Sequence, residues 1–477
     1  MRFISEGKNG KFYRYSKRQG IWLDDAEDFI KHYIRSTYSF MEDEIRKEHN
    51  IKEIVEDVRG VHYYEGGFPE DKAYLIPFNN GVYDLDTDTF REAQPGDYFT
   101  WKLPWNYSPE AKSEYLARLI HSCVGEEDTI TLYQIMAYCL FRGYPYQKFF
   151  ILFGRGANGK GVFMTILDSL LGSENISHVP LGDMQGNRFS GSYLYRKLAN
   201  ISSELEYSDI TNTKLLKQLT GGDAIHADRK FLSPVTFVNH AKLIFSCNAI
   251  PATHDDTAAF YRRAHIIQFP HQFPPDPSID VKIREDSPEM TNEYEGLLYT
   301  VLEHLKKLRE RNFIFDRDES IAGARSTYQY LSNPLVRFIE DYCERTRSDD
   351  DYIYKFELKD RFNEWAREAG FNTYNDQRLG RAMKELGYEE GKRGENRYRA
   401  WIGLRFRLQN IDSGQDVQDV HVFSNRETGK NNLIEKCPDI PDIPDRGAKC
   451  AQCDNQTTCM LSKGQAANCE GPFECRV

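Results

Sequence analysis

Lys148-Phe-Phe-Ile-Leu-Phe-Gly-Arg-Gly-Ala-Asn-Gly-Lys-Gly-Val-Phe-Met164 is an apolar run that ends abruptly in glycines and a lysine. Phe149 to Phe153 suit a buried parallel strand, and Val162 to Leu171 has the spacing of a helix. Gly154 and Gly159 stand at the ends of a G-x-x-x-x-G-K pattern, in which glycines let the backbone turn tightly and aim its N–H groups at phosphate oxygens. Gly154, Gly156, Asn158, Gly159, Lys160 and Gly161 are therefore the candidate nucleotide-binding residues, with Lys160 reaching the outer phosphates. Gly161 stands where a Ser or Thr usually holds Mg²⁺.

The chain has 477 residues, enough for two to four domains that each bury a core. Mean hydropathy is -0.65 and no apolar run approaches membrane-spanning length, so a soluble protein without membrane contact is expected. Met1-Arg-Phe-Ile-Ser-Glu-Gly-Lys8 is too polar for a secretion signal, which points to the cytoplasm. A net charge of -11 gives no global attraction to a polyanion, so any nucleic-acid contact must be local. Cys123, Cys139, Cys247 and Cys343 are scattered, whereas six cysteines crowd between Cys437 and Cys475. In a cytoplasmic chain such crowding favours metal over disulfides.

Residues 1 to about 105 read as short aromatic-rich strands around one polar helical segment near Glu42 to Glu56. Asn80-Gly81 is expected to supply the positive φ angles of a tight hairpin. Ser108 to Arg142 reads as helical, with Ser108-Pro109-Glu110 as its capped start. Beyond the glycine loop, Lys197 to Glu206 is a second buried strand ending in carboxylates, and Glu204 is the candidate to orient water and help hold a metal. Leu219 to Val238 has strand-like flanks and a polar tip bearing Arg229 and Lys230, placed to touch a phosphodiester backbone. Lys242 to Asn248 is a third apolar strand, whose terminal Asn248 would hydrogen-bond a γ-phosphate or the attacking water. Arg262-Arg263 precede a strand from Ala264 to Phe269, where an arginine would reach a neighbouring subunit's nucleotide.

In chain order these are G-R-G-A-N-G-K-G, S-S-E-L-E, T-G-G-D with a downstream R-K-F, L-I-F-S-C-N and R-R. Upstream stand Asn79-Asn-Gly-Val-Tyr-Asp-Leu85 and Asp97-Tyr-Phe99. The series resembles the superfamily-three helicases of the phage, plasmid and poxvirus primase-helicase family over roughly residues 1 to 315. The resemblance implies an α/β fold with an AAA+-like P-loop NTPase core that takes ATP and Mg²⁺. Lys160 would hold phosphate, Glu204 would be the acidic strand-end residue, Asn248 the sensor and Arg262 or Arg263 the arginine finger. It also implies a hexameric ring that threads single-stranded DNA past Arg229 and Lys230 and moves 3′ to 5′. Two positions depart from the pattern: Gly161, and Ser203 where many members carry a first acidic residue. Both thin the Mg²⁺ shell, which could be completed by Ser203, Glu204, waters and the phosphates.

Asn292 to Asn312 reads as an amphipathic helix with Leu298, Val301, Leu302, Leu305 and Leu308 on one face. Three helices, Pro334 to Arg345, Lys355 to Ala369 and Gln377 to Leu386, followed by a Gly387 to Leu404 hairpin, suit a winged helix. Lys392, Arg393, Arg397 and Arg399 on that hairpin make the clearest basic patch and are assigned to DNA. Past Gln409, Pro438-Asp-Ile-Pro-Asp-Ile-Pro-Asp445 reads as an extended spacer. Cys450, Cys453, Cys459, Cys469 and Cys475 follow as candidate metal ligands, Zn²⁺ ahead of iron–sulfur.

The expected organisation is an N-terminal α+β module with a helical collar over 1–145, an ATPase domain over 146–315, a winged helix over 325–408, a low-complexity linker over 409–448 and a cysteine-rich tail over 449–477. The expected activity is ATP-dependent unwinding of forked DNA during replication of a virus, phage or plasmid-like element, with a separate primase or polymerase as partner. A DNA-binding initiator or regulator with a weak or vestigial nucleotide site is the alternative, and a packaging ATPase is a third possibility disfavoured by the Arg229-Lys230 hairpin.

Overall fold

The computed structural model describes residues 2–7, 10–37, 47–65, 68–70, 72–154, 156–187, 189–203, 205, 210, 213–230, 232–251, 253, 255, 257–346, 348–368 and 371–407. The chain opens with an antiparallel sheet of β1 (Phe3–Ser5), β2 (Phe12–Ser16) and β3 (Ile21–Leu23). Two helices follow, α1 (Ala26–Thr37) and α2 (Glu48–Val61), where the sequence suggested one. The apolar stripe of α1 is only Ala26, Ile30 and Ile34 wide, too narrow to stand out among charged neighbours.

A second antiparallel sheet holds β4 (Leu75–Phe78), β5 (Gly81–Asp84) and β6 (Thr89–Arg91). Its hairpin forms as expected but turns at Asn79-Asn80, because Gly81 already pairs with Phe78. Asn79, Asn80 and Gly81 all keep negative φ, contrary to the expected mechanism. Gly81 is needed for space instead: a Cβ there would meet the Arg91 carbonyl and the Phe90 ring at 2.6 Å. Asn80 serves the next segment, accepting from the Tyr107 amide at 2.8 Å and donating to its carbonyl at 3.1 Å.

The collar is two helices, α3 (Tyr115–Cys123) and α4 (Glu126–Leu140), not one continuous stretch. Ser108-Pro109 lies outside both, which corrects the expected start. The N-terminus of α3 is satisfied from far along the chain: the Glu293 carboxylate accepts from the amides of Glu114, Tyr115 and Leu116 at 3.2, 3.0 and 3.1 Å. No local signal could show this, since the cap is supplied by tertiary contact.

The strands β7 (Phe149–Phe153), β8 (Ile176–Ser177), β9 (Ala199–Ser202), β12 (Lys242–Cys247) and β13 (Ala264–Gln268) make a five-stranded parallel sheet in the order β13-β7-β12-β9-β8. Both faces are covered, as buried apolar runs demand. On one face α5 (Lys160–Leu171), the collar and α10 (Pro288–Glu310) enclose Phe150, Leu152, Ile201 and Ile244. On the other, Phe149, Ile151, Leu243 and Phe245 pack with α7 (Thr213–Gly221), α8 (Ala258–Tyr261) and Tyr328 of α11 (Ile321–Ser332). The predicted stripe on α10 is buried throughout, from Leu298 to Leu308. Between β9 and β12 rises an antiparallel hairpin of β10 (Ala224–Arg229) and β11 (Leu232–Val238). The short helices α6 (Leu181–Gly186) and α9 (Pro277–Ile283) flank the sheet.

Beyond α11 a separate apolar cluster joins α12 (Pro334–Tyr342), α13 (Lys355–Glu368) and α14 (Asp376–Glu385). The first helix stops at Tyr342, short of the expected Arg345, because β14 (Cys343–Arg345) pairs with β18 (Leu404–Phe406). A further strand the sequence did not reveal, β15 (Tyr352–Tyr354), joins the expected hairpin of β16 (Glu390–Arg393) and β17 (Tyr398–Ile402) in the order β15-β17-β16. Met1–Leu408 forms one compact unit, and the expected linker and cysteine tail beyond it lie outside the described residues. Among the described residues no helix is long and apolar enough to cross a membrane.

Candidate phosphate-binding site

The apolar β7 ends at Gly154, and α5 begins at Lys160, so the strand, loop and helix fall where the sequence placed them. Gly154 and Gly159 are each required, for different reasons. A Cβ on Gly154 would lie 2.0 Å from Asn158 Nδ2 and 2.6 Å from the Phe269 carbonyl, so the loop closes only over a bare Cα. Gly159 adopts φ +86° and faces Cys123, whose Sγ a Cβ would meet at 2.6 Å. Among the described loop residues the other left-handed one is Ala157 at φ +57°, not Gly156. Gly161 is different: it has ordinary φ and nothing within 4 Å of an added Cβ, so its bareness is not a packing requirement.

Lys160 is 6% exposed. Its ammonium donates to the Gly154 carbonyl, to Asn158 Oδ1 at 3.1 Å and to Asn248 Oδ1 at 3.1 Å. Burial pulls its pKa below the ordinary lysine value. Among the described residues its partners are neutral oxygens, so none of them is a carboxylate to be released before the lysine meets an anion. Asn248 follows β12, which lies beside β7, so adjacency in the sheet brings two sequence-distant candidates into contact. Asn158 also donates to the Phe269 carbonyl at 3.3 Å, which fixes its oxygen toward the lysine.

Gly161 borders a cavity of about 550 Å³ shared with Thr165, Asp168, His178, Asp183, Ser202, Ser203 and Arg284. Sequence reasoning missed Arg284, which follows α9 and donates to Thr165 Oγ1 at 3.4 Å. Its only signal was its position just after a short helix. A second slot of about 400 Å³, mostly apolar, lies beside Ala157 and Gly159 and is walled by Cys123, Val162, Phe273 and Ile279. Burial pushes the thiols of Cys123 and Cys247 up to about 12, so both are neutral near the loop.

Glu204 and the candidate metal ligands Cys450, Cys453, Cys459, Cys469 and Cys475 lie outside the described residues. Among the described residues no group of three or more His, Cys, Asp or Glu is placed to hold a metal ion. The two adjacent arginines separate. Arg263 is 7% exposed, donating from Nε to Thr220 Oγ1 at 3.1 Å and from Nη1 to the Ala259 carbonyl at 2.7 Å. Arg262 is exposed. Both precede the N-terminal end of β13, which runs parallel to β7, and so sit a strand's length from Lys160. Arg229 and Lys230 lie at the β10–β11 turn, and Lys392, Arg393, Arg397 and Arg399 at the β16–β17 hairpin. Neither group joins the loop.

The architecture is thus mixed α/β, with a parallel sheet whose glycine loop leaves the C-terminal end of β7, next to the point where the strand order reverses. A family described as "D5 N terminal like" matches residues 2–125, and a family of unknown function, DUF5906, matches residues 152–263. Three viral proteins whose names propose a helicase are similar. One from Acanthamoeba polyphaga mimivirus is 24% identical over 62% of this chain and 33% of its own length. One from Invertebrate iridescent virus 6 is 25% identical over 47% of this chain and 25% of its own. One from Invertebrate iridescent virus 3 is 25% identical over 64% and 32%. The chain therefore spans about a third or less of the length of these relatives. A solved apo structure of the NrS-1 C terminal region aligns at 14% identity over 84% of this chain and 96% of that one, with a TM-score of 0.40. The family model over residues 2–125 and the three viral relatives support the phage and virus primase-helicase family for this chain.

Proposed function

We propose that the chain is the motor part of a viral or phage replication helicase, binding ATP at the Gly154–Gly161 loop and moving on DNA as a ring. The observation that carries this reading is the convergence of Lys160 and Asn248 at the C-terminal ends of adjacent parallel strands, over a loop whose Gly154 and Gly159 admit no side chain. The strand order supports a P-loop core: β12 stands between the loop strand and β9, the strand that leads to Glu204. Helicase names among the viral relatives agree with it.

In this reading Lys160 holds the outer phosphates and Asn248 orients the attacking water, while Arg284 approaches the phosphates across the cavity at Gly161. Nothing covalent is asked of the protein, so positioning and charge carry catalysis. The apolar slot beside Gly159 would take the base. For Mg²⁺ the described residues at the end of β9 offer only the Ser202 and Ser203 hydroxyls, and the ion would rest mainly on phosphates, water and Glu204. When bound it would neutralise phosphate charge. Arg262 is exposed at the end of the sheet opposite its own loop and would act on a neighbour, which is why the reading includes a ring. Arg229 and Lys230 would touch the threaded strand, the α12–β18 unit would be a winged helix on DNA, and a cysteine-held Zn²⁺ in the tail is part of the same proposal.

The test is the rate of ATP hydrolysis with and without single-stranded DNA for the wild type and Lys160→Ala. Equal rates would end the enzyme reading. A second reading, a DNA-binding initiator or regulator with a slow nucleotide switch, draws on the side-chain-free Gly161. DNA binding that survives Lys160→Ala, with no hydrolysis by the wild type, would favour it.

A further inference from the structure

In the β15-β17-β16 sheet, Ile353 pairs with Trp401, and both are buried against α12 and α13. Alternation along the strands therefore sends Tyr354 and Tyr398 to the opposite face. There Phe356, the second residue of α13, stacks on Tyr354 at 5.4 Å and 10°. Tyr398 stands edge-on to both, at 5.9 Å from Tyr354 and 6.1 Å from Phe356. Phe356 is 53% exposed and Tyr398 51%. Packing alone would not place a phenylalanine half in water at the start of a helix whose core positions are Leu358, Phe362 and Ala366.

A cation shares this face: Arg393 pairs with Tyr398 across the strands. Lys392 and Arg399, paired with each other, lie by the same alternation on the Trp401 face, where Arg399 reaches Glu390 at 3.5 Å. Among the described residues no ion pair engages Arg393 or Arg397. The acidic run Asp349–Asp351 enters β15 and fixes Arg393 through the Asp349 carbonyl at 3.1 Å. An anionic backbone is thus drawn to the turn end of the hairpin, where Arg397 and Tyr398 are adjacent.

We infer that this face binds single-stranded nucleic acid, unpaired bases stacking on Phe356 and Tyr398 while Arg393 and Arg397 hold the phosphates. A duplex satisfies the cations but presents no free base face to the rings. The inference deepens the nucleic-acid role proposed above without requiring hydrolysis, so its test omits nucleotide and stands apart from the ATPase assay.

Binding of the full chain to a labelled thymidine 20-mer and to an abasic 20-mer of equal charge is measured by fluorescence anisotropy. The wild type is expected to prefer the thymidine strand by roughly five-fold or more. Phe356→Leu with Tyr398→Leu, which keeps apolar bulk but removes the π faces, abolishes that preference and leaves abasic binding intact. Arg393→Gln with Arg397→Gln weakens both strands and flattens the salt dependence. Strands carrying 5-iododeoxyuridine are expected to photocrosslink to the peptides containing Phe356 or Tyr398. Equal thymidine binding by the leucine variant, tighter duplex than single-strand binding that the variant leaves unchanged, or crosslinks confined to residues outside 352–399 would each overturn the inference.

Discussion

The Lys160 ammonium donates to Asn248 Oδ1 at 3.1 Å across 88 residues of sequence. This contact makes the loop and the end of β12 one site. Under the proposed function Asn248→Ala is expected to leave folding intact and to lower the hydrolysis rate by about 10²-fold, the scale of losing one preorganised polar group. Asn248→Asp places a carboxylate against the lysine, raises its pKa and weakens nucleotide affinity. Steady-state kinetics and nucleotide titration of the two variants check this. Rates equal to wild type in both would remove Asn248 from the site.

Gly159 and Gly161 should respond oppositely to substitution. Gly159→Ala adds left-handed strain and a contact with Cys123, for an expected loss of about 1–3 kcal/mol in urea unfolding. Gly161→Ser meets open space and is expected to change stability by less than about 0.5 kcal/mol while supplying a hydroxyl to the cavity it borders. Under the proposed function it lowers the Mg²⁺ concentration needed for half-maximal hydrolysis. An unchanged requirement would place the metal elsewhere.

Arg262→Ala and Arg263→Ala should separate function from fold. Loss of Arg263 leaves Thr220 and the Ala259 carbonyl without their buried donor, and the unfolding free energy is expected to fall by about 1–3 kcal/mol. Arg262→Ala leaves stability unchanged. Under the proposed ring it abolishes hydrolysis, and mixing it with Lys160→Ala subunits restores activity at the interfaces where an intact loop meets an intact arginine. No recovery on mixing would count against a trans arginine.

His265 is buried, its Nδ1 3.2 Å from Tyr146 Oη, and burial lowers its pKa to about 3. The unfolded chain binds this proton near pH 6.5 and the folded chain does not. Its contribution to stability is therefore complete above pH 6.5 and is lost as pH falls toward 3, on the order of 3–5 kcal/mol in all. Denaturant unfolding across that range should show the slope, and His265→Phe should flatten it. An identical pH profile in the variant would assign the slope to other groups.

Glu293→Gln weakens the remote cap of α3, and Glu293→Ala removes it, with expected losses of up to about 1 and about 1–3 kcal/mol. Unfolding curves for the pair measure both. Because α3 also carries Cys123 against Gly159, the alanine variant should weaken nucleotide binding as well.

By itself the sequence determined the strands β7, β9, β12 and β13, the hairpin with Arg229 and Lys230 at its turn, and the long apolar face of α10, because each is a local run whose apolar spacing matches one regular structure. It also marked Lys160 and Asn248 separately. What only the tertiary structure decided depends on residues far apart in the chain. Sheet order placed Asn248 on the lysine. It also set Arg263 into the core while leaving Arg262 exposed, though the two are neighbours and chemically identical. The gap beneath Phe90 made Gly81 a matter of space and not of dihedral angle. A carboxylate from α10 replaced the local cap expected at Ser108. Strand pairing gathered Tyr354, Phe356 and Tyr398 onto one face. Local pattern reports which face of an element is apolar; which neighbour fills that face, and which polar group is left to meet a ligand, is settled only when the elements close on one another.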